Sequence, residues 1–293
     1  MHFQWAWIEP VMPVPYVPTL GPVRWGDRLP DLFEAVVQTA GSGRFLTYDK
    51  DRRWSDTKAE RVLVDAIEHD QEQTLVPTLV ERGAGAVKVH VYGNPEALTA
   101  GADLARRLAL AVGAAKARVV WFCGPDDPES DIRGVGTRVQ LKDFKTGPGE
   151  PPRTPLQEYK ELTGEAGFGE FAQRMAPDGF AFLHEQMRAG SVGPVLIVLH
   201  EGRVAGAIGP METMTDAAGA LRLLPQYFGV LPECRGHGYG RALWRAAMHW
   251  GHQQGADYQL LQTEVGGASD GLCAAEGLRS LGFVNGMSAE RVP

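Results

Sequence analysis

Cysteine, long apolar runs and excess positive charge are all scarce in this chain of 293 residues. Its three cysteines, Cys123, Cys234 and Cys273, are odd in number and far apart, with no CxxC pair and no zinc spacing. That pattern excludes a disulfide framework and a cysteine-based metal site. It suits free thiols in a reducing cytosol, so a cytoplasmic protein without a metal is the expectation. The apolar run Pro194-Val195-Leu196-Ile197-Val198-Leu199 is far short of the ~20 residues a bilayer requires, so no membrane span is predicted. The start, Met1-His2-Phe3-Gln4-Trp5-Ala6-Trp7, lacks the basic and apolar regions of a secretory signal. Lys and Arg number 29 against 36 Asp and Glu, a formal charge of −7, which argues against nucleic acid as the main partner and favours cationic ligands.

What is present is a core. With 44% hydrophobic and 22% charged residues, the composition is that of a soluble globular protein rather than a disordered one. The length allows one large domain or two ordinary ones, at ~100–200 residues each. Five prolines between residues 10 and 22 (Pro10, Pro13, Pro15, Pro18 and Pro22) predict an extended arm packed on the first domain. A ligand segment for a proline-binding module is the alternative. Asp27 to Ala40 carries Leu29, Leu32, Phe33, Val36 and Val37 at helical spacing, with Gly41 as a stop. Ser55 to Glu68 predicts a second helix with Ser55 as N-cap, and Arg44 to Trp54 between them reads as a solvated loop. Strands are expected at Thr74–Val80, Ala86–Tyr92 and Arg118–Cys123, and a helix at Ala100–Ala115. Four prolines and two glycines in residues 146–155 break the chain. They divide it into an N-terminal domain (1–147), a linker (148–155) and a C-terminal domain (156–293).

The second half predicts helices over Pro155–Ala189 and a hairpin, Val195–His200 with Val204–Ile208. A long strand, Leu221–Val230, is expected next, then a loop and a helix from Gly240 to Gln254 with Gly255 as its C-cap. A strand at Tyr258–Thr263, a helix at Asp270–Leu281 and a short strand from Phe283 follow, giving a mixed α/β layer.

The informative stretch is Val230-Leu231-Pro232-Glu233-Cys234-Arg235-Gly236-His237-Gly238-Tyr239-Gly240-Arg241. A strand enters a glycine-rich turn that opens an amphipathic helix. Such a turn presents backbone N–H groups at the positive end of a helix dipole, and glycine keeps Cβ atoms out of the way. This is a pyrophosphate cradle. No Lys-Ser/Thr follows, so it is not a Walker loop, and no leading βαβαβ strand makes it a dinucleotide fingerprint.

The order strand, Arg-x-x-Gly-x-Gly (Arg235, Gly238, Gly240), helix, Gly-Ala, strand, helix, Leu-Gly-Phe resembles the GNAT superfamily of acyl-CoA-dependent N-acyltransferases over about residues 155–290. Val230, Pro232 and Glu233 match the turn that ends the family's preceding strand. In the last helix Ala274, Gly282 and Phe283 keep the family's register, but Gly271, Gly277 and Leu278 replace its Asn, Leu and Tyr. The resemblance implies a mixed, mostly antiparallel sheet flanked by helices, with acetyl-CoA as co-substrate. Its pantetheine arm would lie along Gln226–Val230, Phe228 included, and its pyrophosphate on the turn formed by Arg235, Gly236, His237, Gly238, Tyr239 and Gly240. Arg241 and Arg245 are candidates for the 3′-phosphate. Val89–Glu96, Gly101, Leu104, Arg106 and Gly113-Ala114 repeat the order of the second half without its Arg-x-x-Gly-x-Gly turn. The N-terminal half is thus similar to a degenerate copy in a tandem like that of mycothiol synthase, or is a generic β–α–β unit.

Amine acylation needs a neutral nucleophile, a polarised thioester carbonyl and a proton for the leaving thiolate. The resemblance implies direct attack in a ternary complex. Glu264, just past the strand at 258–263, is the first candidate base, Glu212 the second, and Tyr227 a candidate donor. Leu278 stands where the family's tyrosine acid would be, with Ser269, Cys273 and Ser280 as nearby hydroxyls or thiol. The expected acceptor is a primary amine of a small molecule. A protein or peptide amine, and a non-catalytic acyl-CoA-binding module, are the alternatives.

Overall fold

A computed structural model describes residues 12, 14–24, 29–71, 73–93, 97–126, 136–161 and 167–292. The start at Met1–Trp7, Pro10 and Pro13, the first residues of the Asp27 helix and Asn94–Glu96 of the repeat lie outside them. The chain forms two units, residues 1–141 with 260–293, and residues 142–259. Residues 260–293 therefore pack with the N-terminal part, whereas a cut at 148–155 assigns them to the C-terminal one.

In the first unit, β1 (Tyr16–Val17) and β2 (Gly21–Pro22) make a small hairpin out of the proline-rich arm. Helix α1 (Leu29–Thr39) buries Leu32, Phe33 and Val36, and Gly41 ends it at φ +77°. The helix expected over Ser55–Glu68 does not form. Ser55 instead closes a turn with the N–H of Thr57. β3 (Glu60–Val62), a 3-10 turn at Val64–Ala66 and β4 (Glu68–His69) follow. Val62, Val64 and Ile67 are β-branched, and Val62 is buried where β3 pairs with β5 (Gln73–Val80). A 3-10 turn, Lys50–Arg53, interrupts the expected loop at 44–54.

β5 runs antiparallel to β6 (Ala86–Gly93), and α2 (Ala97–Val112) crosses over to β7 (Lys116–Cys123), which pairs parallel with β6. Val87, Val89, Val91, Ala117 and Val119 alternate onto the face that α2 covers with Leu104, Ala105 and Ala109. Gly101 is required there: a Cβ would come 2.6 Å from Val91 Cγ2. β8 (Gly136–Asp143) then leads into the second unit.

In the second unit β9 (Gln157–Glu158) precedes α3 (Phe168–Arg174) and α4 (Phe180–Arg188), two short helices within the expected helical stretch. β10 (Leu196–His200) and β11 (Arg203–Gly209) form the expected hairpin, with Glu201 at φ +50° in its turn. β12 (Thr213–Thr215), absent from the sequence reading, pairs with β13 (Leu221–Leu223). The single strand expected over 221–230 is two strands. Leu224-Pro225-Gln226 separates β13 from β14 (Tyr227–Val230), because Pro225 has no N–H to continue a ladder. Helix α5 (Tyr239–Gln253) buries Leu243, Trp244, Ala247 and Met248, and ends before Gly255 at φ +78°.

The chain returns to the first unit within β15 (Tyr258–Glu264). Helix α6 (Ala268–Ala275) is shorter than the expected Asp270–Leu281, since Gly277 at φ +75° turns the chain. The last strand, β16 (Arg279–Ser288), is ten residues long rather than short. It is inserted antiparallel between β7 and β8. Both units are thus mixed, mostly antiparallel sheets flanked by helices.

Candidate functional site

The geometry around the glycine turn starts from the break at Pro225. β13 pairs parallel with β15 through two residue pairs, Arg222 with Tyr258 and Leu223 with Gln259. After the break, β14 pairs instead with β11, from Tyr227 opposite Gly209 to Val230 opposite Gly206. The strand therefore splits away from its parallel neighbour, and β14 is an edge strand of the sheet β14-β11-β10-β9. An edge strand offers backbone N–H and C=O groups to an extended ligand. Phe228 and Val230 belong to this edge, and a Cβ on Gly240 would stand 3.4 Å from Phe228 Cζ.

Beyond Val230, a 3-10 turn (Pro232–Cys234) leads to Gly236 at φ +84° and Gly238 at φ +79°. Both lie in the left-handed region that glycine adopts without Cβ strain. Gly238 is the N-cap of α5 and provides no side-chain cap. The first helical bond runs from Ala242 N–H to Gly238 C=O, so the N–H groups of Tyr239, Gly240 and Arg241 precede the ladder. The Arg235 amide is tied to Pro232 C=O at 3.3 Å, unlike the three N–H groups at the start of α5. Arg235 Nε donates to Val230 C=O at 3.3 Å, so its guanidinium steadies the turn it belongs to.

Rings flank the turn. His237 stacks on Tyr239 at 5.5 Å, His200 lies 5.2 Å from His237, and His200 Nδ1 is 2.9 Å from the Tyr239 hydroxyl. His200 was not legible in the sequence, since it sits on β10, some forty positions from the turn. Arg241 is exposed. Arg245 forms an ion pair of 2.6 Å with Glu150, which commits it inside the unit. Glu212 accepts from the Gly193 N–H at 3.2 Å, and its own carbonyl accepts from Leu224 N–H. Tyr227 opens β14 with its ring 6.3 Å from Phe180 and 6.4 Å from Phe182.

The remaining candidates lie in the first unit. Glu264 ends β15 with an exposed side chain, and its carbonyl accepts from Gly267 N–H. Leu278 is buried, 8% exposed. Cys273 is buried on α6, and burial pushes its thiol up to about 12, with Asp270 and Glu276 adding to the shift. A thiol held there is not a thiolate at neutral pH, which excludes it as a nucleophile. Ser269 precedes Asp270 on α6, and Ser280 Oγ accepts from Arg138 Nη1 at 3.5 Å. The Asp270 carboxylate accepts from Gly266 N–H, Thr263 Oγ1 and Arg138 Nε, the last at 2.9 Å. Burial pushes that carboxyl up, but these donors outweigh it and hold it below its usual range. Sequence spacing alone did not reveal this cluster. Among the described residues, no group of His, Cys, Asp and Glu is placed to hold a metal.

Three solved structures resemble the chain in fold. A GCN5-related N-acetyltransferase from Sphaerobacter thermophilus is 15% identical, with 87% of this chain and 93% of that one covered at a TM-score of 0.47. A GNAT-family acetyltransferase from Colwellia psychrerythraea is 13% identical, over 91% and 97%, also at 0.47. A tandem GNAT protein from the clavulanic acid biosynthesis pathway is 14% identical, over 76% and 80%, at 0.42. No curated protein matches the chain. The acetyltransferase (GNAT) family model matches residues 156–270, from β9 through the glycine turn and α5 to the start of α6. Over that stretch the chain is similar to GNAT-family acetyltransferases.

Proposed function

We propose that the protein transfers the acetyl group of acetyl-CoA to a primary amine of a small molecule, by direct attack in a ternary complex. The observation that carries this reading is the split of β14 from its parallel partner, immediately ahead of an N-terminus of α5 that has no side-chain cap. The edge of β14, with Phe228 and Val230, fits an extended pantetheine arm. The turn from Gly236 to Arg241 fits a pyrophosphate, with N–H groups, two left-handed glycines and the positive end of a fifteen-residue helix. Acetyl-CoA supplies the activated thioester and the thiolate leaving group.

The chain's own residues have the proton to manage. An amine is protonated at neutral pH, so a carboxylate must remove a proton before attack. Glu264 is assigned that role, because it ends β15 with an exposed carboxylate. Glu212 is the second candidate, its carboxylate oriented by the Gly193 N–H. The Tyr227 hydroxyl is the candidate donor to the departing sulfur. The buried, high-pKa Cys273 supports direct attack over an acyl-enzyme. A cytosolic setting fits three buried free thiols.

CoA release, followed with acetyl-CoA and a panel of small amines, tests the reading. Turnover with at least one amine is expected. Turnover confined to peptide or protein lysines would shift the acceptor class. Saturable acetyl-CoA binding without any turnover would make the domain a binding module.

A further inference from the structure

The first unit contains a half-open pocket that the acetyl-transfer reading does not use. The alternation that sends Val87, Val89 and Val91 to α2 sends Lys88 and His90 to the opposite face of β6; on β7 Arg118 likewise opposes Ala117 and Val119. On that polar face lies a cavity of about 310 Å³, bounded by β6, β7, β16 and the hairpin Tyr16–Gly21. The volume is at the small end of ligand pockets, which run ~300–1,000 Å³. Its roof is fixed: Lys58 donates to Thr19 C=O, Tyr92 Oη to Tyr16 C=O, and the Tyr16 ring stacks 6.0 Å from His90.

The charges in the lining do not cancel. Lys50 pairs with Asp51 and Lys88 with Glu60, each at 3.2 Å. Arg118 also lines the cavity, and has no ion pair among the described residues. One unit of positive charge is left over, on a planar guanidinium that matches a carboxylate bidentately. His90, 3% exposed, directs Nδ1 at the Val76 carbonyl at 3.2 Å, so the ring's proton is on Nδ1 and Nε2 is an acceptor. The carboxylates of Asp51 and Glu60 are further acceptors, and Asn285, Gln262 and Thr137 complete a polar wall. β6 and β7 stay paired through six residue pairs and no Gly-x-Gly sequence follows β6, so the pocket is not a second cofactor cleft.

We infer that this cavity binds a small monocarboxylate carrying hydroxyl or ammonium donors, its carboxylate on Arg118 and its donors toward His90, Glu60 and Asp51. A phosphate dianion is disfavoured, because its second charge would face two carboxylates with only one unpaired cation present.

The test uses the full chain without acetyl-CoA, so its outcome is independent of the transfer reaction. D-gluconate and L-glutamine are titrated calorimetrically, beside D-glucose and L-glutaminamide, which lack the carboxylate, and beside inorganic phosphate. At least one carboxylate is expected to bind at millimolar concentration or below, its uncharged counterpart at least tenfold more weakly. Arg118→Gln should lower affinity at least tenfold, the lower bound for a lost hydrogen bond to a charged group. Lys116→Gln, on the same strand outside the lining, should leave it unchanged. In the wild-type protein the His90 ring resonances should shift in step with the titration, a readout that needs no variant. Failure of both carboxylates to bind overturns the inference. So does equal binding of the neutral counterparts, full affinity in Arg118→Gln, tighter binding of phosphate, or His90 resonances that do not move.

Discussion

Acidification from pH 7 to pH 5 should weaken the first unit through one imidazole, His90. The ring is buried between β5 and the roof hairpin. Burial is the main reason its pKa falls to about 4, with Lys88 adding to the shift and Glu60 and the Val76 carbonyl opposing it. An unfolded histidine titrates near ~6.5. Between these values the unfolded chain holds a proton that the folded chain refuses, so stability rises with pH through the window. The stability is fully present above about pH 6.5 and is lost progressively toward pH 4. From the two pKa values, the loss from pH 7 to pH 5 is about 2 kcal/mol, and over the whole window roughly 3 kcal/mol. His90→Gln keeps an N–H for the Val76 carbonyl and removes the titration. Urea unfolding at pH 7, 6 and 5, read by hydrogen exchange of the β6 amides so that the first unit is followed directly, measures the effect. Wild type should lose about 2 kcal/mol more than the variant between pH 7 and pH 5. Parallel losses in the two proteins would refute the reasoning and show that His90 accepts a proton where it stands.

Gly238→Asp places a side chain at φ +79° and a negative charge at the start of α5. Acetyl-CoA affinity should fall by tenfold or more in calorimetry, and the wild type should bind one molecule per chain, because β6 and β7 are closed where β13 and β14 diverge. Glu264→Gln should lower kcat at pH 7 by at least the ~10²-fold minimum for general-base help. Higher pH should partly rescue it, with cofactor affinity unchanged. Retained activity in that variant together with loss in Glu212→Gln would reverse the two roles. Asp270→Asn removes the charge that Arg138, Thr263 and the Gly266 N–H address, and should cost about 1–3 kcal/mol at pH 7 in urea unfolding. Since the Asp270 pKa is depressed, wild type should keep this contribution above its unfolded value near ~4 and lose it as the pH falls further.

Local physics made parts of this protein readable from the chain alone. Gly238 and Gly240 at the head of a helix with apolar residues at 243, 244, 247 and 248 specify a turn and an amphipathic α5. Such a turn needs only residues adjacent in sequence. The β10–β11 hairpin and the β6–α2–β7 crossover follow from alternation and helical spacing for the same reason. Ser55–Glu68 misled because apolar spacing there fits a helix as well as a strand. Partners decided it, since Val62 is buried where β3 pairs with β5.

The sequence by itself determined the β10–β11 hairpin, the β6–α2–β7 crossover and the glycine turn that opens α5. Tertiary structure alone decided three further points. Pro225 marks a break, but only the pairing of β14 with β11 turns that break into an open edge. Cys273 is inert because the fold around α6 buries it. Residues 260–293 serve the first unit because β16 finds its hydrogen-bond partners in β7 and β8, more than a hundred residues earlier. Each of these depends on which distant backbone or apolar surface satisfies a group, and chain order does not specify that.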